Sequence, residues 1–545
     1  MPCNDTSEGV LATIMKRRGW IFLSAAVLFV ATGSLYLSTA RRAMPLPSFR
    51  EQICSLPREW LELTRRGYFP GRSGEVTLLP RTPAYVASAA GGWTHTGPWP
   101  YLQDVPLVFH GPDLLRSEGE VARPVTLADV APTLADLIDA DFEPPDGRPL
   151  PEVRGKKPAL MVTIVWDGGG WNVLKRWRDS WPNLAAMARS GLSFTNAAVG
   201  SSPSVTPPIH TTLGTGAFPS RHGVTDITLR DEAGRVVDSF VQGTSSRFIE
   251  VKTFAETWDE GSGNRARVGM IGYEPWHLGM IGRGAEIPAG DRDDAAWLDA
   301  ETNEWITNPD HYDLPPSLNA TGGLDDDIET LDGADGRIDG SWRDKAILDD
   351  PARVEETPAF IAYHMRAAMN MIADEGYGND DVTDLLFMNF KQPDRAGHYF
   401  NMRSHEVRDS IAAADEQLLV LSEFLDREVG RGRWLLVITA DHGQQPDAGD
   451  IDAYAIDPNE LEDDIEAEFG RVVRTVWPTQ IFLREDAMRE RKVSVADIAR
   501  FIGDYRLIDN TRRPDFALTG AGRVGAQDRL FKMSVPSAVL RTVRC

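Results

Sequence analysis

Ser201-Ser-Pro-Ser-Val-Thr206-Pro-Pro-Ile-His210-Thr-Thr-Leu-Gly-Thr-Gly-Ala-Phe-Pro-Ser-Arg-His222 is the stretch on which the reading of this chain turns. Pro207 and Pro208 follow Thr206, and proline is favoured in a first helical turn, where its missing N–H leaves no bond unmade. Thr206 is therefore expected to cap a short helix, its oxygen beside free backbone N–H groups at the positive end of the helix dipole. Such an end attracts phosphate and other anions. A threonine cap alone is ordinary structure, so the neighbouring segments decide.

Three apolar runs surround it: Met161-Val-Thr-Ile-Val-Trp-Asp167, Leu385-Leu-Phe-Met-Asn-Phe-Lys-Gln-Pro-Asp394-Arg-Ala-Gly-His398, and Trp434-Leu-Leu-Val-Ile-Thr-Ala-Asp441-His442. Short runs of this kind read as strands buried on both faces, as in a parallel sheet. In open α/β sheets, ligand groups gather beyond the carboxyl ends of the strands. Three strands delivering Asp167, Asp394 with His398, and Asp441 with His442 to one edge make a metal site beside Thr206.

Asp167-Gly, Thr206-x-x-x-His210, Pro393-Asp394-x-x-Gly397-His398 and Thr439-Ala-Asp441-His442-Gly443, in this order between Ala159 and Gly443, resemble the alkaline phosphatase superfamily. The resemblance is to its type I phosphodiesterase/nucleotide pyrophosphatase and Thr-nucleophile phosphatase branches. It implies an α/β fold with a mostly parallel central sheet flanked by helices. It also implies a metal-dependent phosphoric ester hydrolase, extracytoplasmic on the reading of the N-terminal segment given below, with Thr206 as nucleophile and a phospho-threonine intermediate. One divalent ion would take Asp167, Asp441, His442 and the Thr206 oxygen; the other would take Asp394, His398 and a third histidine. Nitrogen and oxygen donors without cysteine fit two zinc ions. Two dications balance three carboxylates and a threonine alkoxide, which leaves room for an incoming phosphate. Arg283 matches a phosphate-binding arginine of the monoesterases, but Ile281 stands where they carry a lysine. Ile209 stands where the diesterases carry an asparagine. The expected substrate is a phosphate ester, a small molecule or a lipid, with monoester or diester left open.

In the superfamily's ordinary order the third histidine follows the Asp-His-Gly strand, and here no histidine follows His442. Arg72-Ser-Gly-Glu-Val, Thr94-His95-Thr-Gly-Pro-Trp-Pro-Tyr101, Asp104-Val-Pro-Leu-Val-Phe and Asp129-Val-Ala-Pro-Thr-Leu resemble the family's C-terminal third, placed at the front. The resemblance thus implies a circular permutant with His95 as the missing ligand. Transfer of phospho-headgroups to envelope lipids or polymers is an alternative activity, and a non-catalytic surface protein on the same scaffold is an alternative of another class. The Cys/Ser-x-Pro-x-Arg context of sulfatases is lacking.

A net charge of −24 excludes the basic face that nucleic-acid binding needs. It does not exclude phosphate, because bound metal ions dominate the local field. Three cysteines rule out a thiolate-rich zinc site. Lys16-Arg17-Arg18 precedes the apolar run Trp20–Leu37, long enough to cross a bilayer and oriented by its basic flank with the body outside. Cleavage near Ala40, giving a secreted form, is the lesser reading. Cys54 and Cys545 would then lie where a disulfide is permitted, though nothing in the sequence requires them to pair. The expected organisation is a cytoplasmic tail (1–19), a membrane anchor (20–40), a stalk (41–70), the permuted part of the catalytic domain (71–150), a linker (151–158), and the remainder (159–545) with an insertion or cap at about 225–377. Residues 444–475 read as an acidic surface loop.

Overall fold

The computed structural model describes residues 45–88, 92–116, 119–288, 290–299, 301–512 and 525–545. The expected membrane segment Trp20–Leu37 lies outside the described residues, among which no helix is long and apolar enough to cross a membrane. The body runs from Phe49 to Cys545.

Its organising layer is a sheet of ten strands: β1 (Leu107–His110), β2 (Gly119–Val121), β3 (Leu160–Trp166), β4 (Leu192–Phe194), β5 (Val268–Ile271), β6 (Asp293–Leu298), β7 (Trp305–Ile306), β8 (Tyr312–Asp313), β9 (Asp384–Phe390) and β10 (Trp434–Thr439). The order is β7-β6-β5-β9-β3-β10-β1-β4-β2, with β8 also beside β6. From β6 to β10 every neighbouring pair is parallel. Antiparallel pairings enter on either side, where β1 meets β10 and β7 meets β6. The expected parallel core is therefore present within a mixed sheet. Side chains alternate faces along a strand, and β3 shows the result: Val162, Ile164 and Trp166 join one hydrophobic cluster while Met161 and Val165 join the cluster on the opposite face. Burial on both faces is why these strands are apolar throughout.

Register sets the site. Phe390 lies opposite Trp166, and Thr439 opposite Val165, so β9, β3 and β10 end level and release Lys391, Asp167 and Asp441 at one edge.

Several expected boundaries move. β5 to β8 lie inside the 225–377 segment and extend the central sheet, so this segment is not solely an inserted cap. Within the stretch expected as a stalk, where the sequence also suggests a short helix around Ser55–Arg66, Phe49–Cys54 and Arg58–Gly67 are helices with Ile53 and Leu61 buried. The second also reaches the Thr206 region, since Ser202 N–H donates to Leu63 O at 3.1 Å. The supposed loop at 444–475 contains the helix Pro458–Phe469, which buries Leu461 and Ile465 beneath its acidic side chains. An acidic composition hid an amphipathic helix there.

The two ends of the body meet. A second, antiparallel sheet orders Val473–Trp477, Gln480–Leu483, Val76–Pro80 and Phe531–Pro536 side by side, and a disulfide joins Cys54 to Cys545.

Candidate active site

Thr206 opens the helix Thr206–Thr215, preceded by the extended Val205. It is thus the first helical residue and not the cap. Its hydroxyl is free of capping duty and donates to Asp167 Oδ2 at 3.4 Å. Pro207 and Pro208 fill the next two positions without N–H groups, so the helix start offers fewer backbone donors than its dipole suggests. Lys391 Nζ stands 3.2 Å from Thr206 Oγ1. The same ammonium donates to Asp167 Oδ1 at 3.0 Å and to Asp394 Oδ2 at 2.6 Å.

The histidines share one posture. His95 directs Nδ1 to Ser204 O at 2.8 Å, His398 to Trp93 O at 2.5 Å, and His442 to Gly443 O at 3.0 Å. A carbonyl accepts, so each Nδ1 carries the proton and each Nε2 keeps its lone pair, the tautomer suited to a metal. Those Nε2 atoms face carboxylates: His95 and His398 lie 3.6 and 3.3 Å from Asp394 Oδ1, and His442 lies 3.4 Å from both Asp167 Oδ1 and Asp441 Oδ2. The rings of His95 and His442 stack at 3.6 Å.

Ligand atoms of His95, Asp394 and His398 converge within 4.8 Å of one another, as do those of Asp167, Asp394 and His442, and those of Asp167, His210 and Asp441. Asp441 Oδ2 and His442 Nε2 are buried without a hydrogen-bond partner. Buried polar atoms are rarely orphaned. Orphaned oxygen and nitrogen donors in a cluster of carboxylates and imidazoles are a donor set that suits a divalent ion such as zinc. His398 is partly exposed while Asp394 is buried, so the centre opens to solvent beside His398.

Electrostatics follow from crowding without water. Burial and then the neighbouring Asp167 push Asp441 up to about 7. Against the cost of burial, His398, Lys391 and His95 hold Asp394 well below the usual carboxylate range. Burial likewise opposes the charge on Lys391, yet Asp167, Asp394 and Asp441 together raise its pKa. Burial takes His210 down to about 4. His210 directs Nδ1 to Thr206 O at 2.9 Å and Nε2 to the Asn389 amide at 3.1 Å, while Asn389 Nδ2 also donates to Asp167 Oδ2 at 3.1 Å. Asn389 therefore orients Asp167.

Seven residues expected from the sequence, Thr206, Asp167, Asp394, His398, Asp441, His442 and His95, are brought together. Arg283 is not among them. Glu256 accepts from its Nε at 2.8 Å and its Nη2 at 3.1 Å, and Ile249 O accepts from Nη1. Its guanidinium is committed to a local ion pair, which corrects its expected place on the phosphate. Ile281 and Ile209 are fully buried in the apolar core. Lys391 and Asn389 were missed, since a lysine ending an apolar strand carries no metal-site spacing.

A family model described as type I phosphodiesterase / nucleotide pyrophosphatase matches residues 161–516. The chain is 24% identical over 440 residues to the alkaline phosphatase PafA of Elizabethkingia meningoseptica, across 70% of this chain and 78% of that protein. It is 25% identical over 404 residues to the alkaline phosphatase PhoV of Synechococcus elongatus, across 64% and 72%. The crystal structure of wild-type PafA shares the fold with a TM-score of 0.55 at 21% identity, over 66% of this chain and 77% of that one.

Proposed function

The chain belongs to the type I phosphodiesterase / nucleotide pyrophosphatase family within the alkaline phosphatase superfamily and is a phosphoric ester hydrolase, and from that premise we propose that it hydrolyses phosphate monoesters through Thr206. The carrying observation is the clustering of three carboxylates and three Nε2-presenting histidines beside Thr206, whose Oγ1 lies 3.4 Å from Asp167 Oδ2 and 3.2 Å from Lys391 Nζ. Asp167, Asp441 and His442 with the Thr206 oxygen would hold one divalent ion, and Asp394, His398 and His95 the other. When bound, such ions polarise phosphoryl oxygens and favour the ionised threonine.

With its proton given up to solvent, Thr206 Oγ1 attacks phosphorus, the new Thr–O–P bond forming as the ester's P–O bond breaks and the leaving alkoxide takes a proton from water. Asp167 Oδ2 accepts the hydroxyl hydrogen bond, and Lys391 stabilises the developing alkoxide from 3.2 Å. Water then attacks the phospho-threonine and frees phosphate. Lys391 changes the charge balance: two dications and one ammonium exceed three carboxylates and an alkoxide by one positive charge. That excess favours a dianionic monoester over a monoanionic diester. Both curated relatives named above are alkaline phosphatases, which supports the same choice.

The test compares p-nitrophenyl phosphate with its bis-ester on the purified, zinc-loaded body. The monoester is expected to turn over faster. Thr206→Ala should abolish turnover with zinc content retained; a variant that keeps most of its activity would overturn the nucleophile assignment.

On this reading the body lies outside the cytoplasmic membrane, carried by the Trp20–Leu37 anchor. The Cys54–Cys545 disulfide supports that location, because disulfides persist in oxidising compartments. The chain order is a circular permutation. The family match begins at residue 161, at the start of β3, while His95 and β1, both earlier in the chain, take places in the site and beside β10. Paired ends of the body are what a permutation requires.

A further inference from the structure

We propose that Asp259, Asp291 and Asp293 form a separate divalent-cation site of calcium type at the strand-start edge of the central sheet. Asp259 lies on the helix Phe254–Ser262, Asp291 on the irregular segment leading into β6, and Asp293 is the first residue of β6. One carboxylate oxygen from each lies within 4.8 Å of the others. Parallel β5 and β6 carry Asp293 at the edge opposite the one that releases Asp167, so this cluster is not part of the nucleophile centre.

Two features separate it from an ordinary acidic surface patch. Asp259 and Asp293 are 5% and 8% exposed, and Asp259 Oδ1 is buried with no hydrogen-bond partner. No counter-charge serves the cluster among the described residues. Arg283 is committed to Glu256, Lys252 to Glu260, and Arg292 turns towards Asp313. Gathering carboxylates away from water without a cation is costly, and such groups either take up protons or bind a metal. Burial and then Asp291 lift Asp259 to about 7, and burial with Asp259 and Asp291 lifts Asp293 well above the usual range.

The donor set selects the ion. It is all oxygen, with no imidazole or thiolate, which suits a hard cation. Calcium binds oxygens at roughly 2.3–2.6 Å in flexible geometry, so oxygens spread over up to about twice that distance can share one ion, whereas magnesium demands a tighter octahedron. The backbone of Gly284 and Gly290 lines the same narrow cavity and offers further oxygens. Asp291 is exposed and gives the ion a way in. Bound calcium would fasten the Phe254–Ser262 helix to the start of β6, a stabilising role apart from catalysis.

Calcium titration by calorimetry of the full zinc-loaded chain tests this. The wild type should bind one calcium more than Asp259→Asn/Asp293→Asn and show a calcium-dependent, saturable rise in Tm that the double variant lacks. Without calcium the double variant should be at least as stable as the wild type, because repulsion has been removed. Asp291→Asn, at an exposed position, keeps the fold and should weaken calcium binding roughly tenfold. Equal calcium stoichiometry and affinity in the wild type and Asp291→Asn would overturn the proposal. So would a wild-type Tm indifferent to millimolar calcium that instead rises on acidification from pH 8 to 6, which would mark a proton-sharing acid cluster.

Discussion

Lys391 binds three groups of the centre at once, and its removal should be read in specificity more than in folding. A charge-assisted hydrogen bond contributes about 1.5–3 kcal/mol, so Lys391→Met should lower kcat/KM for p-nitrophenyl phosphate by roughly 10–100-fold and lower that for the bis-ester less. An unchanged monoester-to-diester ratio would remove Lys391 from substrate discrimination. Asp294 offers a test of a different kind. Burial lifts it to about 6, against the Tyr377 hydroxyl that donates to it at 2.7 Å. Its folded-state pKa lies above the unfolded value of about 3.9, so the stability it contributes is complete below that value and is lost as pH rises through 6. Asp294→Asn keeps an acceptor for Tyr377 and discards the charge. In urea it should exceed the wild type by roughly 1–3 kcal/mol at pH 8, with the difference shrinking between about pH 6 and pH 4. The clustering of these Asp and His residues was legible because their spacing follows strands that end at one edge. Lys391 was missed and Arg283 was given another partner for one reason: where a long cation goes depends on the buried carboxylates nearest it in the fold, here Asp167 with Asp394 and Glu256.

The turn after β3 shows how tightly an element holds the site. Gly168 has φ +67°, and a Cβ there would lie 2.9 Å from Gln444 Nε2 and 3.0 Å from Asp394 Cα. A left-handed conformation costs a side chain roughly 1–2 kcal/mol, and the contact with Asp394 adds displacement of a ligand. Gly168→Ala should therefore lower Tm and weaken zinc binding at least tenfold; native zinc affinity would show that the turn has slack. Strand periodicity disclosed β3, β9 and β10 because each is a long apolar run buried on both faces. β5 and β6 escaped because Val268-Gly-Met-Ile and Asp293-Asp-Ala-Ala-Trp-Leu are short or begin with carboxylates. The Thr206 helix was foreseen, yet its start lies one residue earlier than a cap reading allows, and that shift frees the hydroxyl for Asp167.

At the scale of the molecule, the front of the chain reads as a preface and folds as the finishing part of the body. Val76–Pro80 pairs with Phe531–Pro536, β1 with β10, and His95 reaches Asp394. In the sequence, the histidine count and the front-placed motifs around Arg72, His95, Asp104 and Asp129 hinted at this arrangement, whereas pairing between distant segments leaves no local pattern. The Cys54–Cys545 bond closes 491 residues of sequence separation, so covalently the body is a ring. A single cut in a ring linearises it without releasing a fragment. Arg337 lies in an exposed stretch beside Ile338, which is 70% exposed, and trypsin should nick there. The nicked protein should run as one species without reductant, divide into two with it, and keep its phosphoric ester hydrolase activity until then. A protease must cut this molecule twice before any piece of the ring can drift away.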